Sequence, residues 1–113
     1  MEIIWSPHAL KKVSEIGDFI ALDSIPRAVK FEDELLTSVW HLKEFPNAGG
    51  PVPEKEGLRQ VIHHGYRIIY RIQQSSVEII TVISPGQNFN LDWQRFIEST
   101  LEKEWSSDDD DGL

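Results

Sequence analysis

The chain reads as a single α+β domain. A small antiparallel-rich sheet carries an N-terminal helical hairpin on one face, in the order β-α-α-β-β-β-α. Three observations predict this. Leu58 to Ile83 strings strand-like runs together with short polar breaks. The stretch before it holds two segments of apolar residues at helical spacing with one short link. The length, 113 residues without a cysteine, suits one domain with a modest core and no disulfide or thiolate metal site.

Glu2 to Trp5 is a short apolar run closed by Ser6-Pro7. It predicts a first strand, then a helix with Ser6 as N-cap and Pro7 in the first turn. Ala9, Leu10, Val13, Ile16, Gly17 and Ile20 then recur at helical spacing. Asp23-Ser24 before Pro26 marks a stop and a second start. The second helix carries Ala28, Phe31, Leu35, Val39 and Leu42 on one stripe, joined by Ile25, Leu36 and Trp40. So short a link predicts an antiparallel pair. Phe45 to Gly57 holds Pro46, Gly49, Gly50, Pro51, Pro53 and Gly57 and predicts a loop.

The meander follows. Tyr66, Ile68, Tyr70 and Ile72 share one face of the central run, and Arg67, Ile69 and Arg71 the other. In the next run Val77, Ile79, Thr81 and Ile83 alternate with Glu78, Ile80 and Val82. Leu91 to Glu104 has helical spacing through Trp93, Phe96, Ile97 and Leu101. The expected division is a domain over 1–90, a C-terminal helix over 91–105 and a loose acidic tail over 106–113.

Net charge is −8, and it is uneven. Residues 1–92 carry nine Lys/Arg against twelve Asp/Glu, and residues 93–113 two against seven. Bulk charge therefore argues against nucleic-acid binding. No apolar run reaches the roughly 20 residues of a membrane span. The N-terminus lacks the basic-then-apolar order of a signal peptide. A cytoplasmic protein is the expectation.

Few residues suggest chemistry. His63 and His64 would point to opposite faces of a strand and so not readily share a metal, and beside the Gly65 turn they read as exposed turn histidines. His8 and His41 are single helical histidines with no ligand spacing. No Asp or Glu pair suggests metal chemistry and no Gly-rich phosphate loop is present, so no metal and no cofactor is expected. Trp40 and Trp93 are expected as core or helix-packing residues. Trp105 stands among acids as a partner anchor or as part of a mobile tail.

The order and the residues together resemble the RelE/ParE toxins of bacterial type II toxin–antitoxin modules, ParE-like in particular. The matching stretches are SPHALKKVSEIGDFIALDS, a helix ending HLKEFPNAGG, LRQVIHHGYRIIYRI and VEIITVISPG, over about residues 3–89. The resemblance implies a toxin neutralised by a cognate antitoxin. ParE-like members inhibit DNA gyrase by protein binding; RelE-like members cleave mRNA on the ribosome without a metal. Of the RelE-like basic set, Arg67 is kept, while Leu58, Gln60, Asn88 and Gln94 stand where charge and proton transfer are needed. Amide side chains supply neither. Ribonuclease activity is therefore not expected, and Arg67 is catalytic only under the RelE-like alternative.

Arg59, Arg67, Arg71 and Trp105 are the expected target- or partner-binding residues. A solvated charge or a bond to a nearby acid reads Arg67 and Arg71 equally well. A non-toxic binding module of the same fold is the third reading. Assembly is expected as a homodimer or a toxin–antitoxin hetero-oligomer, away from membranes. The acidic C-terminal segment resembles in composition the segments with which antitoxins wrap toxins.

Overall fold

The structure is a computed structural model. It describes the backbone of residues 1–112 and the side chains of residues 1–100. The elements are β1 (Glu2–Trp5), α1 (Pro7–Ala21), α2 (Ile25–Thr37), β2 (Gly50–Pro51), β3 (Arg59–His63), β4 (Tyr66–Gln73), β5 (Ser76–Ile83) and α3 (Phe89–Gly112). The tail expected over 106–113, and Trp105 before it, fall outside the described side chains. Among the described residues no helix is long and apolar enough to cross a membrane.

Both hairpin helices start as the sequence predicts. Ser6 accepts from the Ala9 N–H, and Ser24 from the Arg27 N–H. The second helix stops earlier than expected. It ends at Thr37, and Trp40–Lys43 forms a separate 3₁₀ turn. Val39 and Leu42 stay buried, whereas Trp40 is 59% exposed rather than in the core. Gly17 on α1 faces the Glu32 side chain on α2. A Cβ there would lie 1.7 Å from Glu32 Oε1.

The sheet order is β1-β5-β4-β3-β2. β1 runs parallel to β5 and every other pair is antiparallel. The expected loop over 45–57 contributes β2, a two-residue strand against Arg59 and Gln60. The β3–β4 turn has positive φ at both His64 (48°) and Gly65 (82°). That backbone matches the right-handed twist of the flanking strands.

The hairpin covers one sheet face. Ala9, Val13, Ile16, Leu35, Val39 and Leu42 pack on Ile68, Tyr70, Val77, Ile79 and Val82. Leu10 and Ile72, expected there, are exposed. The opposite face is also covered. Ile69, Ile80 and Ile83 meet Val52 and Leu58 from the loop side and Phe89 from α3, with Trp93 and Phe96 half-buried against them. Ile97, expected to pack there too, is exposed.

Simple alternation fails along β5. The register shifts between Ile69 and Tyr70, which pair with Thr81 and Ile79 and leave Ile80 without a partner on β4. One extra residue of this kind flips the pattern beyond it. Val77, Ile79 and Val82 therefore share the hairpin face, while Ile80 and Ile83 share the other. Ser6 Oγ donates to the Ile80 carbonyl at 2.7 Å, and the Ser6 N–H donates to the Ile79 carbonyl. The residue that caps α1 thus also satisfies the bulge.

Candidate target- and partner-binding surfaces

β4 projects Arg67 onto the sheet face that α3 and the 45–57 loop cover. Its guanidinium makes a bidentate pair with Glu54 of that loop, at 2.9 and 2.7 Å. Arg67 Nε donates to Gln60 Oε1 at 2.8 Å, and the guanidinium lies 5.6 Å from the centre of the Phe89 ring. Paired donors on a planar fork give a strong, directional contact. The hydrogen bonds to Arg67 hold the Glu54 carboxyl below its usual range, and Glu54 raises Arg67 further above its own. Both charges persist, each matched to the other.

Arg71 makes a second pair on this face, with Glu78 at 2.7 Å. Arg59 does not join them. Its partner in register is Tyr70, on the hairpin face. Its guanidinium donates to the carbonyls of Asn47 and Gly49. Tyr70 ties down the same loop, accepting from the Gly49 N–H at 2.9 Å and donating to the Pro46 carbonyl at 2.7 Å. The three arginines that suggested one basic patch thus occupy two faces, and each contacts the chain itself.

Asn88 and Gln94 are also engaged locally. Asn88 Oδ1 accepts from the Leu91 N–H in the first turn of α3, and Gln94 Nε2 donates to Glu98. Neither is a proton donor or base near Arg67.

A buried polar cluster joins α1 to α3, and the sequence pattern alone did not single it out. Asp92 is 4% exposed. It accepts from the Thr81 hydroxyl at 2.6 Å, pairs with Lys12 Nζ at 3.1 Å and lies 3.4 Å from His8 Nε2. Lys12 also donates to Gln87 Oε1, which accepts from the Ser84 N–H. The signal was available. Lys12 falls three residues after Ala9 and four before Ile16, so a charge stands on the buried stripe. The cleft beside the cluster, about 410 Å³, is lined by Lys11, Glu15, Arg95 and Glu98 among others.

The hairpin tip is the reverse of this. Phe19, Leu22, Ile25 and Val29 are all more than half exposed. Phe19 and Leu22 share a shallow depression with Ile20, Asp23 and Arg27. The outer side of β3 is similar: β2 covers only Arg59 and Gln60, and Ile62 is 56% exposed. Apolar surface of this kind, rimmed by charge, suits protein contact.

The family model described as "ParE toxin of type II toxin-antitoxin system, parDE" matches residues 3–89. A curated relative from Sinorhizobium fredii, named "Putative toxin Y4kP", is 34% identical over 88 residues, covering 77% of this chain and 91% of its own. A solved structure titled "Chromosomal ParDE TA system from P. aeruginosa" superposes with a TM-score of 0.67 at 20% identity, covering 75% of this chain and 96% of its own. That likeness speaks for the fold.

Proposed function

The chain belongs to the ParE toxin family of type II toxin–antitoxin systems, and on that premise we propose that it arrests growth in the cytoplasm by binding a protein target, DNA gyrase. A cognate antitoxin neutralises it in a hetero-oligomer. The observation that carries the reading is the state of Arg67. Its guanidinium is held by Glu54 and Gln60, and the Asn88 and Gln94 side chains make their own contacts in α3. General acid–base cleavage of RNA needs a proton donor and acceptor beside the charge that stabilises the phosphate. Protein binding needs neither, and the exposed apolar tip with the open side of β3 supports it.

The test is co-expression with the product of the neighbouring gene, followed by a gyrase supercoiling assay. A soluble complex, growth arrest relieved by the partner, and supercoiling inhibited by the free chain are the expected results. Absence of any association with that product would overturn the toxin–antitoxin reading. Association combined with normal supercoiling would overturn gyrase as the target.

A further inference from the structure

We propose that Glu34, His63 and His64 form a binding site for a first-row divalent cation of the zinc type. One ligand atom from each lies within 4.8 Å of the other two. Glu34 comes from α2, His63 from the end of β3 and His64 from the β3–β4 turn. Expecting the two histidines on opposite faces assumes that both are strand residues. The left-handed backbone at His64 turns its ring toward His63 instead, and the ring centres lie 4.4 Å apart.

The donor set fits the cation. Two imidazoles and one carboxylate are a familiar three-ligand zinc set that keeps a fourth position open. Zinc bonds of roughly 2.0–2.1 Å in a tetrahedron place neighbouring donors about 3.3 Å apart. His63 Nε2 and Glu34 Oε2 already stand at 3.3 Å. His64 is exposed, so its ring can close the remaining distance by side-chain rotation. Hard cations that prefer all-oxygen shells fit poorly here, because two of the three donors are imidazole nitrogens.

The site has a supporting wall. Phe31 packs on His63 at 6.1 Å and on Tyr66 at 4.9 Å, which restricts the His63 ring. A bound ion would staple α2 to the β3–β4 hairpin, adding to the His63–Glu34 contact and the packing of Phe31.

The experiment titrates the purified full chain with zinc chloride by calorimetry and with cobalt chloride by visible absorption. One ion per chain and the absorption of a tetrahedral cobalt centre are expected. The variants are His64→Asn, which tolerates the left-handed backbone, Glu34→Gln, and His41→Ala as a distant control. Losing a ligand should weaken binding at least as much as losing a ligand's supporting partner, roughly 10–100-fold. Thermal melts without metal establish that each variant folds. The cation should raise the melting temperature of the parent and of His41→Ala, and leave the other two unmoved. Affinity unchanged in His64→Asn and Glu34→Gln, or equally reduced in His41→Ala, overturns the site. So does an absence of saturable binding by the folded parent.

Discussion

Lys12 and Asp92 meet at 3.1 Å between α1 and α3, with both side chains almost wholly out of solvent. A buried ion pair costs much desolvation and adds little net stability. Breaking it is another matter, because the charge left behind stays buried. Asp92→Ala should destabilise the fold by about 3–5 kcal/mol in urea denaturation. Lys12→Met combined with Asp92→Leu should recover most of that loss. If the double variant is as unstable as the single one, Asp92 matters through Thr81 and His8 instead.

Tyr70 makes both of its hydrogen bonds to the 45–57 loop. Tyr70→Phe leaves the Gly49 N–H without its acceptor, at a cost of roughly 1–3 kcal/mol. Burial pushes the phenol above its usual value of 10.0. Its contribution is therefore complete below the unfolded value near 10 and is lost as pH rises through the higher folded value. The stability gap between parent and Tyr70→Phe should narrow in that alkaline range, read by thermal melts.

Glu54 titrates in the opposite sense. Arg67 holds its carboxyl below the ordinary 4.5. The pair therefore contributes above that value and loses its contribution as pH falls through the lower folded value. Thermal melts of the parent and Glu54→Gln should differ at neutral pH and converge in acid below 4.5. The carboxylate is partly exposed, so added salt should also shrink the difference.

Ile68→Ala should cost about 2–5 kcal/mol, because Ile68 is fully buried against the hairpin. Phe31→Ala should cost less. Phe31 is half-buried and packs at the margin, on Tyr66 and His63. Equal losses in denaturant unfolding would mean that the Phe31 side of the hairpin is as tightly packed as its centre.

Much of this fold could be read from local pattern. Ser6, Pro7 and Ser24 marked the helix starts, and Tyr66, Ile68 and Tyr70 marked the inward face of β4. What alternation could not show was the unpaired Ile80, because a bulge depends on register between strands. The face of Ile83 and Val82 followed from it. Arg67 was visible as a candidate, but its partner Glu54 lies thirteen positions away in a loop with no periodicity. The approach of the His64 ring to His63 was not legible, because the backbone conformation of the turn, not position in the run, sets where that ring points. Lys12 was legible in principle as a charge on an apolar stripe, whereas its partner Asp92 is 80 residues distant and reaches it only through packing of α3.

The most direct test of action by binding rather than by cutting is incubation of the purified chain with ribosomes stalled on a defined message. The cut sites are then mapped by primer extension. An intact message is expected, because Arg67 is held by Glu54 and Gln60 and the Asn88 and Gln94 amides move no protons. Codon-positioned cleavage that disappears in Arg67→Ala would contradict it.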